Sequence, residues 1–363
     1  MTPHIEGALA LHRRLAERVG DDTTLVWSPY SVASALGLVA AGARGKTRDE
    51  LAAALAPGGD LDGLARLLGS AASVPDGTFA VSNGLWMQHD LPFHRGYQEK
   101  VLARPGGALH GADFRRDAEG ARRAINADVE KTTRGLIREL LVPGVLHPEV
   151  VAVVANALYL KVAWMRPFLE RATVPRTFHA VSGTREVPTM EQRERMSYAA
   201  AEGWRMATLP AEGDVVADVL LPDDELVTAE RRLSAESLSR LYGARREAEV
   251  GLRLPRFRVE GASGDLTEPL RLLGVRAAFD PAEADFSGIA AARLWIDTVI
   301  HKAVLRVDEQ GLEGAAATAV VMRTVSAWLG ESVDLHVDRP FLVIVRHATS
   351  GALYFLARVT DPG

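Results

Sequence analysis

The chain has 363 residues, 47% hydrophobic and 25% charged, the balance of an ordinary globular protein with enough apolar material for a large core. Its formal net charge of −5 gives no footing for nucleic acid or an anionic membrane as partner, and no apolar run approaches the ~18 residues of a spanning helix. Cysteine is absent, which removes disulfides and thiolate chemistry, and no Asn-x-Ser/Thr sequon occurs.

The opening MTPHIEGALALHRRLAERVG lacks the charged start and apolar core of a signal peptide, so a cytoplasmic location is expected unless a leader precedes this numbering. Ile5, Leu9, Leu11 and Leu15 mark an amphipathic helix there. Residues 24–27 (TLVW) predict a short strand. Ser28 as cap and Pro29 at the first helical position then open a helix through Val32, Leu36 and Val39 that stops between Gly42 and Gly45. Its end, AAGARGKT (40–47), imitates a phosphate-binding loop. Such a loop needs a strand before it, whereas the helix here implies a glycine stop and a new helix at Thr47.

Residues 78–88 (TFAVSNGLWMQ) predict a strand and 92–104 a helix. Residues 117–133 put Ala121, Ala124, Ile125 and Val129 on one face, as an amphipathic helix ending at Gly135. VVAVVANALYL (150–160) is apolar on both faces, a strand buried on both sides and interrupted by Asn156. TFHAVSGTREVPTM (177–190), VVADVLLPDD (215–224) and LRLPRFRVE (252–260) read as strands, Leu266 to Leu273 as a short helix and 279–290 as a loop. No repeat, linker or low-complexity tail divides the chain, so one domain over 1–363 is expected.

Asp297 to Glu309 alternates as a strand, with Val299, His301, Ala303, Leu305 and Val307 on one face and Lys302, Arg306 and Asp308 on the other. His301 on an apolar face and Asn156 in a buried strand must both find hydrogen-bond partners. After Gly311 comes a run of small residues, Gly314, Ala315, Ala316, Ala317, Thr318 and Ala319. Alanine favours a helix. The same run also suits a strand, with the uncharged Leu312, Gly314, Ala316, Thr318 and Val320 inward and Glu313 outward. No G-x-S-x-G elbow or H-E-x-x-H occurs, and His89 and His94 lack a third ligand in suitable spacing. Neither an enzyme nor a metal or cofactor site is therefore expected.

DEQGLEGAAATAVV (308–321) resembles the hinge of the reactive loop of serpins, the serine protease inhibitor family. HKAVLRVDE before it and DRPFLVIVRHATSGALYFLARVTDP (338–362) after it resemble the same family, as do SPYSVASALGLVAAGARGKTRDEL (28–51) and NALYLKVAWMRPF (156–168). The resemblance runs from about residue 5 to 362. It implies an α+β fold of three β-sheets and about eight or nine helices, with an exposed reactive-centre loop at about 310–333. It implies a suicide-substrate inhibitor, monomeric, that forms a covalent 1:1 acyl complex with a serine protease and then inserts the cut loop into its central sheet.

The resemblance also assigns roles. Glu309, Gly311, Leu312, Glu313, Gly314, Ala315, Ala316, Ala317 and Thr318 form the hinge. Ser28, Ser31, Asn156 and His301 form a shutter beneath the sheet's middle, where two strands must part. Trp164, Arg256 and Glu309 form a breach at the top, with a partly exposed salt bridge worth about 1 kcal/mol. Counting Glu309 as the first residue, the cut bond follows the seventeenth, Val325-Ser326, in a loop like that of antichymotrypsin-type serpins. Val325 suits an elastase-like protease; a slip to Arg323 would invite a trypsin-like one, and to Trp328 or Leu329 a chymotrypsin-like one. Leu312 stands where the family usually has Thr or Ser. Its bulk is expected to slow the first step of insertion, which leaves open a non-inhibitory serpin acting as a binding or chaperone-like protein.

Overall fold

The central helix begins where the sequence puts its cap. The Ser28 side chain accepts a hydrogen bond from the Ser31 N–H, and Pro29 fills the first helical position, where no donor is needed. The computed structural model describes residues 3–261, 264–312 and 330–363, and nine α-helices and seventeen strands lie within them. The first part holds α1 (Pro3–Val19), β1 (Leu25–Trp27), the central α2 (Pro29–Gly42), α3 (Gly45–Leu55), α4 (Leu61–Ser70), β2 (Thr78–Gln88), α5 (Arg95–Leu102), β3 (Gly107–Ala112), α6 (Ala118–Thr132) and β4 (Ala152–Ala163). Next come β5 (Val174–Ala180), β6 (Gly183–Ala201), β7 (Trp204–Ala211), β8 (Val215–Pro222), α7 (Leu226–Arg232), α8 (Ala235–Gly243), β9 (Arg246–Pro255), β10 (Phe257–Glu260), β11 (Gly264–Asp265) and α9 (Thr267–Leu272). The last are β12 (Thr298–His301), β13 (Val304–Val307), β14 (Gly311–Leu312), β15 (Ser332–His336), β16 (Phe341–His347) and β17 (Leu353–Val359).

Among the described residues the strands form two hydrogen-bonded ladders. One runs β10-β13-β14-β4-β12-β11, with β2 and then β3 added on the other side of β4. The other runs β1-β17-β16-β8-β7-β6-β9-β15, with β5 on β6. Two of the three expected sheets share β6, whose 19 residues pair with β5, β9 and β7 in turn, so they form one continuous ladder. Helix α2 is apolar on nearly every side and packs against β2, β4 and β17, buried between the ladders. A second, smaller core lies between the β4 sheet and α6 with the chain that follows it. Trp86, Ile125, Val129, Ile137, Leu140, Val153, Ala157 and Ile300 belong to it.

Three stretches that alternate as single strands are divided. Residues 177–190 are a hairpin: the chain turns after Ala180, and Gly183, at φ +131°, takes a conformation side chains disfavour. Residues 252–260 break at Arg256, with β9 in one ladder and β10 in the other. Residues 297–309 break at Lys302–Ala303, so that β12 pairs with β4 while β13 pairs with β10 and β14. Alternation reports burial on a face and carries no information on which neighbour a strand takes.

Candidate functional site

Strand β4 is buried from Ala152 through Leu160 and pairs along one edge with β2, from Thr78↔Lys161 to Met87↔Ala152. Its other edge is shared. Parallel β12 covers its lower half, Thr298↔Val153 to His301↔Asn156, and β14 covers its top, Leu312↔Val162 and Gly311↔Ala163. Residues 157–161 have no ladder partner on that edge among the described residues. Leu312 also pairs with Val307 of β13, so the root of the expected loop lies between two strands, and its side chain is 0% exposed. Gly311 is required by close approach: a Cβ there would lie 2.2 Å from the Val162 carbonyl oxygen.

Below this slot a neutral hydrogen-bond cluster joins β4, β12 and α2. The Ser28 N–H donates to His301 Nε2 at 3.0 Å, which leaves the ring proton on Nδ1 to donate to Asn156 Oδ1 at 2.9 Å. Asn156 Nδ2 donates to the Ser31 carbonyl (2.8 Å) and to Asn83 Oδ1 (2.6 Å). Asn83 Nδ2 in turn donates to Ser34 Oγ at 2.8 Å. Burial pushes the His301 pKa down to about 3, which keeps the ring neutral, as an acceptor Nε2 requires. The Ser31 hydroxyl is buried and has no hydrogen-bond partner among the described residues, so Ser31 joins the cluster through its backbone.

Above the slot the contacts are charged. Arg256 Nη2 and the Thr173 hydroxyl both donate to Glu309 Oε1, at 2.5 and 2.6 Å. The Glu309 side chain is 5% exposed and that of Arg256 46%, so only half of the pair faces water. Burial drives the Glu309 pKa upward, but the Thr173 and Arg256 bonds outweigh it and hold the carboxyl below its ordinary range. Trp164 clamps the same turn: its indole N–H donates to the Asp308 carbonyl at 2.8 Å and its backbone N–H to the Gln310 carbonyl at 2.9 Å. Arg256 stands at the break between β9 and β10, and that break carries it from one ladder to the rim of the other.

The four shutter positions therefore meet in one cluster, and the three breach positions in another. Of the hinge positions, Glu309, Gly311 and Leu312 sit at the slot's upper end. Glu313, Gly314, Ala315, Ala316, Ala317, Thr318, Val325 and Ser326, with the alternatives Arg323, Trp328 and Leu329, lie outside the described residues. Leu312, expected to slow the first step of insertion, occupies a buried strand position opposite Val162. Sequence reasoning missed Asn83, Ser34 and Thr173. Asn83 carries the same signal as Asn156, an amide inside an apolar strand, and could have been found by it; Thr173, in a connection, carries none.

Comparison with known proteins bears on the whole chain. Residues 6–362 match the model of the family described as Serpin (serine protease inhibitor). Serpin-Z2B of Oryza sativa subsp. japonica is 34% identical, over 98% of this chain and 97% of that protein. Iris of Ixodes ricinus is 32% identical, over 97% and 96%. Among solved structures, uncleaved ovalbumin superposes with a TM-score of 0.87 at 25% identity, covering 99% of both chains. Human thyroxine-binding globulin complexed with thyroxine superposes at 0.88 and 23% identity, covering 99% of this chain and 98% of that one. The match across nearly the full length, together with the two ladders around α2, makes the chain a member of the serpin family.

Proposed function

We propose that the chain is a suicide-substrate inhibitor of serine endopeptidases, offering Val325-Ser326 to an elastase-like enzyme. In that reaction the protease serine Oγ attacks the Val325 carbonyl carbon, and the C–N bond to Ser326 breaks. The serine's proton passes to the departing α-amine, leaving an ester between the two proteins. The cut loop then enters the slot beside β4, and the protease is carried away with it before water reaches the ester. The observation behind this reading is the seat of Leu312, paired with β4 on one side and β13 on the other at the slot's upper end.

In that antiparallel register each step along the loop is one step down β4, so a strand lengthened from Leu312 would bring Thr318 opposite Asn156. Asn156 now faces His301, so insertion past that point requires the shutter to part. About ten added ladder residues at roughly 1 kcal/mol net per hydrogen bond supply the drive, and kinetics preserves the uncut form.

The test is incubation of the monomeric chain with pancreatic elastase, then chymotrypsin and trypsin, read on a denaturing gel with mass spectrometry of the released peptide. The expected result is a covalent 1:1 band and a peptide beginning at Ser326. A peptide beginning after Arg323, Trp328 or Leu329 moves the bond and the target class with it. A cut chain without complex sinks the inhibitor reading and favours a binding or chaperone-like role.

A further inference from the structure

The turn between β5 and β6 is fixed beside the entry to β16, because the His179 N–H donates to the Asp338 carbonyl at 2.8 Å. Between this turn, the start of α7 and the connection from α1 to β1 lies a cleft of about 410 Å³, a volume that suits one small molecule. Its apolar lining comes from Leu226, Val227, Pro340 and Val181. Leu226 is buried, whereas Val181, in the turn, is 50% exposed.

Four carboxylates share the cleft: Asp21 and Asp22 from the connection after α1, and Asp224 and Glu225 from the start of α7. Arg231 and Arg232, in the last turn of α7, pair with Asp21 and Asp224 at 2.9 and 3.2 Å. Asp22 and Glu225 have no ion-pair partner among the described residues. The fold does not use their side chains either. Asp22 serves through its backbone carbonyl, which accepts from the Thr360 hydroxyl at 3.0 Å, and Glu225 stands at the N-cap of α7 without accepting a side-chain bond. The basic residues of the cleft are engaged elsewhere. Arg339 donates to Asp338 Oδ1 at 3.0 Å and to the Pro222 carbonyl at 2.8 Å, and His179 Nδ1 lies 3.2 Å from Thr184 Oγ1. Carboxylates gathered without a counter-charge repel one another, a cost that a bound cation removes.

We propose that this cleft is a binding site for a small organic cation, an ammonium or guanidinium carried on an apolar body. Asp22 and Glu225 hold the charged head, and the body lies on Leu226, Val227 and Pro340 beside Val181. The same carboxylates repel an anion. A bare metal ion would leave the apolar lining uncovered, and no group of three or more ligating side chains that could hold one occurs among the described residues. None of the residues of this cleft belongs to the slot, the shutter or the breach, so the site does not depend on the inhibitor reading.

The experiment titrates the full chain with phenethylammonium chloride and follows saturation transfer to its aromatic protons by NMR. Phenylpropionate, the same body with the opposite charge, is the matched probe at equal ionic strength. Phenethylammonium should bind saturably, about fivefold more tightly than phenylpropionate. The doubly substituted Asp22→Asn, Glu225→Gln chain should lose about that factor for the ammonium, and Asp49→Asn, an exposed acid on α3, should lose nothing. Val181→Arg places a guanidinium of the protein's own at the cleft and should weaken the ammonium while every carboxylate stays in place. Equal binding of the two probes, or a signal that grows without saturating, overturns the site. So does a folded double variant, or a folded Val181→Arg chain, that binds phenethylammonium as tightly as the parent.

Discussion

Asn156 and Glu309 border the same slot, one at its lower end and one at its upper, and are held by opposite means. Around Asn156 each named contact is neutral, and every partner is buried. Around Glu309 a buried carboxylate meets a guanidinium that is half in water. Deep in the sheet a separated ion pair would leave a bare charge in a poor dielectric, whereas amide and imidazole bonds can exchange partners at modest cost. At the rim, water can solvate Arg256 as soon as Glu309 moves. The chemistry of each site matches what must happen there when strands separate.

The sharpest way to break this contrast is Asn156→Leu. It strands the Asn83 carbonyl oxygen and the His301 Nδ1 proton in the core, and about 3–5 kcal/mol of stability should go, read as a lowered urea midpoint that salt does not restore. Acid comes second. Burial holds His301 at about 3 and His4 at about 4, each below its ordinary 6.5. The unfolded chain therefore binds protons the folded one refuses, so stability falls as pH drops below 6.5 and levels off beneath about 3 for His301 and about 4 for His4. Each histidine contributes up to ~1.4 kcal/mol per pH unit. His301→Gln should flatten the slope by its share. The Glu309 carboxyl, held low, loses its stabilising contribution only in more acid solution, as pH falls through its folded pKa.

Leu312→Asp should release the loop's root from between β4 and β13, at a cost of about 2 kcal/mol because the segment can leave rather than keep a cavity. Limited proteolysis near residue 312 should accelerate; unchanged proteolysis would mean that Leu312 does not seat the loop. Arg256→Ala should be mildest, about 1 kcal/mol or less and vanishing in high salt. A loss as large as that of Asn156→Leu would remove the distinction between the two ends.

Much of this was legible because the deciding residues break a local rule. An amide in VVAVVANALYL and an imidazole on an apolar strand face are conspicuous, and they meet in the fold at 2.9 Å. Ser28 and Pro29 announce their helix start through local bonding alone. What stayed hidden depends on neighbours. Nothing in LRLPRFRVE tells that β9 and β10 join different ladders, yet that break positions Arg256. The buried set of His12, Glu230 and Arg358, with bonds of 2.8 and 3.0 Å, joins residues more than a hundred positions apart. Leu312 was legible as a departure, but its burial between β4 and β13 was not, because that depends on which strands become its neighbours.

The small core beneath α6 changes how the molecule should respond to a denaturant. Val153, Ala157 and Ile300 face it from β4 and β12, and Val154 and Val299 face the larger core from the same strands, so parting β4 from β12 uncovers a limited set of apolar side chains on both faces of the sheet. Such an opening has its own dependence on urea, shallower than that of complete unfolding because less surface is uncovered. Hydrogen exchange of the β4 and β12 amides should therefore change little with dilute urea, where exchange through complete unfolding would change steeply.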